Sequence, residues 1–274
     1  MARRKKSRAG GGALSAAAAP RLLLIPAIVA IAFLVFPLVG LVVRAPWSQA
    51  PRLLVNSEVL AALQLSVVTA TLSTAICMVV GVPLAWLLAR PGWPGRSVLR
   101  ALVTVPLVLP PVVGGVALFT VFGRTGLLGR PLYDWTGFSL PFTSAAVVVA
   151  QSFVALPFLV LSVEGALRAA DRRYEDAAAT LGASPWRVFV RVTLPLVAPG
   201  IAAGAVLAWA RALGEFGATI TFAGNLTGTT QTMPLAVYEE LETNPDAAVL
   251  LSVVLLAVSI LVLGLLRERW VSQL

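Results

Sequence analysis

The sequence predicts an all-α integral membrane protein with six transmembrane helices, and three observations carry that reading. Of the 274 residues, 58% are hydrophobic and only 12% are charged, whereas a soluble domain carries roughly a quarter charged residues. The apolar residues gather into six runs, each near the ~20 residues that cross the hydrocarbon core as a helix. The basic residues fall between those runs and favour alternate sides. Lipid offers no partner to an open backbone group, so each run must be helical.

The runs cover 22–43, 59–88, 98–122, 141–163, 195–213 and 247–266. The first has a basic start. Its apolar stretch exceeds the roughly 7–15 residues of a secretory signal core, so it reads as an uncleaved helix. The second is longer than a bilayer requires and should tilt or project, with a kink at Gly81 and Pro83. Its Gln64, Ser66, Thr69, Thr71, Ser73 and Thr74 face the interior or serve as interhelical hydrogen-bonding groups. The third is broken by Pro106, Pro110, Pro111, Gly114 and Gly115, which suits a pore-lining or dimer-packing helix. Residues 1–20 join a basic cluster to a Gly/Ala tract and read as a disordered cytoplasmic tail at the anionic inner surface. The expected organisation is therefore a tail over 1–20 and a transmembrane domain over 21–274.

With the N-terminus inside, sixteen of the 21 Lys and Arg residues lie on the cytoplasmic side and four (Arg44, Arg52, Arg124, Arg130) outside; Arg211 falls within a span. Both termini are thus expected in the cytoplasm. The net charge of +9 is dispersed among apolar runs, which fits the positive-inside pattern and not a nucleic-acid surface. The chain has no His and one Cys, Cys77, so neither an internal disulfide nor a Cys/His metal site can be built. No convincing repeat relates the two halves. That argues against an inverted-repeat secondary transporter.

Residues 171–195 are the polar exception. Asp171 can cap a helix, and Glu175 and Asp176 sit in early turns, where the helix dipole favours anions. Ala177, Ala178 and Ala179 form helix with little bulk, and Gly182 suits a helix end with positive φ. Ser184-Pro185 reads as a second start. Trp186, Phe189 and Val190 make an apolar stripe at helical spacing, and Leu194-Pro195 leads into the fifth run. On physical grounds alone this module is either an amphipathic loop resting on lipid or a docking site for another protein.

At these residues the chain resembles the membrane permeases of ATP-binding-cassette importers. Their loop signature is Glu-Ala-Ala, a Gly four residues after the last Ala, nine variable residues, then Ile-x-Leu-Pro. Asp176-Ala177-Ala178, Gly182 and Val192-Thr193-Leu194-Pro195 stand at that spacing, with Asp for Glu and Val for Ile. The stretches Leu213-Gly214-Glu215-Phe216-Gly217, Ala223-Gly224-Asn225 and Thr230-Gln231-Thr232-Met233-Pro234-Leu235-Ala236 are similar to the molybdate and tungstate branch. Sulfate permeases share the first of them. The resemblance covers roughly 55–265.

It implies a type I importer permease fold in the bacterial plasma membrane. Glu175, Asp176, Ala177, Ala178, Gly182, Ala183, Leu194 and Pro195 would form an ATPase-coupling module. It also implies two copies of this chain, two ATPase subunits carrying ATP and Mg, and an extracytoplasmic molybdate-binding protein. The chain itself would be non-catalytic and bind no cofactor. A permease for sulfate, thiosulfate or another oxyanion is the alternative.

Independently of that resemblance, no Gly-x4-Gly-Lys-Ser/Thr phosphate loop occurs in the chain, so an ATP-driven machine must draw on a separate ATPase. Arg211 and Glu215, spaced i, i+4 roughly 20–25 Å along the fifth helix, are either a self-neutralising structural pair or an oxyanion gate in which Glu215 restrains Arg211. Thr219, Thr221 and Asn225 lie in a Gly/Thr-rich segment over 217–232, read as either weak polar oxyanion sites or a flexible outer loop. Glu239, Glu240, Glu242 and Asp246 are expected to face water or a binding protein. An ion-coupled transporter would need buried carboxylates or His in its spans, and an enzyme a catalytic constellation; neither is visible.

Overall fold

The computed structural model describes residues 21–271 except 91 and 93. The tail expected over 1–20 lies outside the described residues. Every regular element among them is helical.

The first run is α1 (Arg21–Arg44), which forms a unit of its own; a second unit begins at Ala45. In that second unit a short 3-10 turn (Trp47–Gln49) and α2 (Ala50–Leu54) lead into α3 (Ser57–Ala89). The side chain of Asn56 starts α3 by accepting the Glu58 N–H at 2.8 Å, which satisfies one of the orphan donors of a helix start. The chain continues through α4 (Arg96–Val108), α5 (Pro111–Phe122), α6 (Gly129–Thr136) and α7 (Ser144–Ala169). Two short helices follow, α8 (Arg173–Thr180) and α9 (Pro185–Val188), then a π-helical turn (Phe189–Thr193) and α10 (Leu194–Leu213). The chain ends with α11 (Gly217–Phe222), α12 (Met233–Thr243) and α13 (Pro245–Val271).

Five helical stretches are long and apolar enough to span a bilayer: Leu23–Arg44, Ser57–Ala89, Ser144–Ala169, Pro185–Leu213 and Pro245–Val262. The third expected span is not one helix. It is the pair α4–α5, bent by 117°. The physical cause is local: Leu109 and Pro110 are extended, and Pro111 opens α5, where its missing N–H costs nothing. Gly114 and Gly115 serve packing inside the chain. A Cβ on Gly115 would lie 2.7 Å from Thr221 Cβ and 2.9 Å from the Ala218 carbonyl oxygen, so α5 and α11 meet nearly backbone to backbone.

α3 runs unbroken through Gly81 and Pro83. Gly81 instead admits α7, for a Cβ there would sit 2.7 Å from Leu159 Cδ2. The main core is the seam of α3, α7 and α10, filled by Ala70, Cys77, Leu88, Ala155, Leu159, Val160, Ala208 and Leu213. A second cluster joins α5 and α11 to the Ser144 end of α7 through Leu118, Val147, Val154 and Phe222.

The polar residues of the second span are mostly structural. Ser73 donates to the Val148 carbonyl at 3.0 Å, Ser66 accepts the Met233 N–H at 2.7 Å, and the Trp209 indole donates to Thr71 at 3.2 Å. Thr69 and Thr74 bond carbonyls of their own helix, and Gln64 is exposed.

The expected second start at Ser184 is present, but its hydroxyl makes no capping bond. The short helix α9 that follows it is not set apart from the fifth span. The segment from Pro185 is continuous with the fifth span through the π turn, in which the Leu194 N–H reaches back to the Phe189 carbonyl. Pro195 explains the widening: it lacks an N–H, and its ring crowds the preceding turn.

Candidate functional site

Two polar constellations stand at opposite ends of the α7–α10 bundle. The first is the module between α7 and α10. The Arg173 N–H donates to Asp171 Oδ1 at 2.9 Å, so Asp171 marks the entry to α8 as its position suggests. The far end closes in a Schellman turn. Gly182, at φ +81°, donates to the Ala179 carbonyl and Ala183 to the Ala178 carbonyl, at 3.0 and 3.1 Å. Only glycine takes that φ without strain.

Glu175 faces inward. Its Oε2 lies 2.7 Å from Arg90 Nη1, and its Oε1 accepts from Arg90 Nη2 at 2.8 Å and from the Thr193 hydroxyl at 2.6 Å. The Arg90 guanidinium holds the Glu175 carboxyl below its ordinary value against partial burial, helped by Thr193 and the charge of Arg172. Arg172 also donates to the Ala89 carbonyl at 3.2 Å. Arg90 lies 4.9 Å over the Trp86 ring, and Trp86 meets Phe189 edge-on at 6.1 Å. The end of α3, α8 and the π turn are thus tied at one node.

The outward face is different in kind. Asp176, Ala177 and Gly182 are exposed, Ala178 and Ala183 half-buried. The same helix and its end also carry exposed apolar side chains, Tyr174 at 61% and Leu181 at 88%, whereas Trp186 lies with Phe189 in a groove against Pro83 and Trp86 of α3. Leu194 and Pro195 belong to the start of α10 and not to this face.

The second constellation marks the break between α10 and α11. Arg211 and Glu215 are joined at 2.6 Å, and Glu215, 1% exposed, also accepts the Ala218 N–H at 2.8 Å through its other oxygen. The carboxylate therefore caps α11 as well as holding Arg211. Thr221 spends its hydroxyl on the Gly217 carbonyl. Thr219 is fully buried, and its hydroxyl is unpaired among the described residues.

Asn225 belongs to another network. Its amide donates to Glu239 at 2.9 Å, and Gln231 donates to the same oxygen at 2.6 Å. Glu239 is thus a polar hub of the chain itself and not simply a water-facing acid. The Thr-rich stretch is folded: the N–H groups of Thr229, Thr230 and Gln231 converge on the Leu226 carbonyl, and the Thr230 hydroxyl accepts the Leu226 N–H.

Sequence reasoning missed a third cluster. Glu164, buried in α7, accepts from Arg168 at 2.8 Å and from Arg100 of α4. The Glu164–Arg168 spacing of i, i+4 was the available signal. The pairings of Arg90 and Arg100 with residues more than 60 positions away had none.

A groove of about 880 Å3 lies between α3 and α10. It is lined mainly by apolar groups such as Met78, Pro195, Ala205 and Trp209, with Thr71 and Thr74. The groove thus presents a mainly apolar wall.

Fold and site together define a multi-pass membrane permease subunit. Residues 81–273 match the family described as the binding-protein-dependent transport system inner membrane component. The chain belongs to this family. It is 53% identical over 245 residues to the molybdenum transport system permease protein ModB of Mycobacterium tuberculosis, covering 89% of this chain and 92% of the relative. It is 36% identical over 234 residues to the sulfate transport system permease protein CysT of Escherichia coli, 84% of each chain. Its fold matches a crystal structure of a bacterial ABC transporter involved in import of alginate, with a TM-score of 0.73 at 18% identity over 91% of this chain and 94% of that one.

Proposed function

We propose that this chain is the translocation subunit of an ATP-driven importer that carries molybdate into the cytoplasm. The observation that carries the mechanism is the outward face of the module. Tyr174 and Leu181 expose large apolar surface on the same short module as small Ala177 and Gly182, and an apolar patch on an ordered polar module is a protein-docking surface. The occupant is an ATPase subunit, contacted by Asp176, Ala177, Ala178, Gly182 and Ala183. ATP and Mg reside on that partner. The substrate class rests on the 53% identity to a molybdenum permease.

Two copies of the chain would face each other across the α3–α10 groove, so that the path runs between subunits and its apolar wall offers little to hold an anion. Weak binding suits passage, and an extracytoplasmic binding protein supplies selectivity. The 21–274 segment acts as the permease domain and 1–20 as a basic inner tail. Arg211 supplies positive charge beside the path, with Glu215 fixing it in place. Thr219 and Thr221 line the adjoining helix, and Asn225 steadies the loop through Glu239.

Proteoliposomes holding the chain, its ATPase and a matched binding protein test the reading. ATP-dependent uptake of molybdate in excess of sulfate supports it. Stimulation of ATP hydrolysis by sulfate-loaded but not molybdate-loaded binding protein would assign the chain to sulfate instead.

A further inference from the structure

We propose that Glu175 is a positioning residue that clamps α8 to both α3 and the entrance of α10, so that a push on α8 moves the two membrane helices as one. The inference rests on the docking role given to the module and adds how force leaves it.

The neighbouring acids separate by geometry. Successive residues of a helix turn by about 100°. Asp176 is exposed, whereas both Glu175 oxygens are engaged inside the chain. A carboxylate already holding a two-point Arg contact and a 2.6 Å hydroxyl bond has little left to offer a partner protein. Its partners are chosen by element: Arg90 immediately follows α3, and Thr193, 2% exposed, is the last residue of the π turn before α10.

The need for a clamp follows from size. An eight-residue helix cannot hold itself together or resist reorientation unaided. Without Glu175, α8 would keep the Arg172 contact to Ala89 and its covalent links, and a push would be absorbed by rotation of the module. A charge-assisted, two-point contact resists that rotation better than a single neutral bond. Arg90 lying over Trp86, and the edge-on contact of Trp86 with Phe189, fix the other half of the clamp.

The test compares Glu175→Gln and the reversed pair Arg90→Glu/Glu175→Arg with wild type in the full complex. Glu175→Gln is expected to retain the co-purifying ATPase while molybdate taken up per ATP hydrolysed falls about tenfold; the reversed pair recovers part of the loss. Loss of the ATPase from the Glu175→Gln complex would make Glu175 a docking residue and overturn the proposal. Unchanged uptake per ATP would overturn it equally.

A second measurement needs no transport. Spin labels at Leu181→Cys and Val79→Cys, in a Cys77→Ala background of the full chain, report the distance from module to α3. The distribution broadens with Glu175→Gln and narrows again in the reversed pair. An unchanged distribution overturns the clamp. A wild-type chain that captures no ATPase would strike at the docking role alone, and the labels would still decide the clamp.

Discussion

Glu215 and Glu175 are both carboxylates paired with arginine, yet their surroundings give them different tasks. Glu215 is 1% exposed and serves two donors, Arg211 and the Ala218 N–H. Glu215→Ala strands Arg211 and uncaps α11, and a broken buried pair costs about 3 kcal/mol; thermal unfolding in detergent reads the loss. Arg211→Ala leaves the module untouched, so ATPase capture persists while uptake falls. Unchanged uptake would return Arg211 to a purely structural part. Glu175 sits outside the spans, and Arg90 depresses its carboxyl below the ordinary Glu value of about 4.5. Such a group stabilises the folded state fully above the unfolded value, and the contribution is lost as pH falls through the depressed one. Proteolysis of the module should therefore be flat from neutral pH to about 5 and rise only below the ordinary carboxylate range.

At the scale of elements, the module was the most legible part of the chain. Asp171, the alanine run and Gly182 encode local structure through propensity and φ, and each stands where those rules put it. Gly182→Arg forces a side chain into φ +81° on the exposed face. It should leave membrane insertion intact while abolishing stimulation of ATP hydrolysis, measured on the purified complex. Gly182→Asn should do less harm, because Asn tolerates the left-handed region. The π turn was not legible in detail. Pro195 signalled a helix start, but whether the chain stops before it or widens to pass it depends on packing against α3 and α7. The same holds for the third span, whose prolines announced a break but not a 117° reversal of direction.

For the whole molecule, six apolar runs and alternating basic loops were enough for the class, because lipid allows few backbone solutions. The pairing of distant charges was not readable: Arg90 with Glu175 and Arg100 with Glu164 are tertiary choices that no local spacing encodes. The candidate site was accordingly half legible, its local turns readable and its internal wiring hidden. Glu175 was grouped with the coupling module by its place in the motif, and in the fold its carboxylate is held by Arg90 and Thr193. If two copies meet across the α3–α10 groove, the purified complex should contain two permease chains by native mass measurement, and Met78→Arg, at an exposed residue lining that groove, should split them. Photocrosslinking tests most directly the claim that work made by another protein enters through α8. A benzophenone side chain at Leu181 should capture the ATPase subunit in the assembled complex, and one at Leu127, near α6, should not. Capture at Leu127 with none at Leu181 would contradict the account.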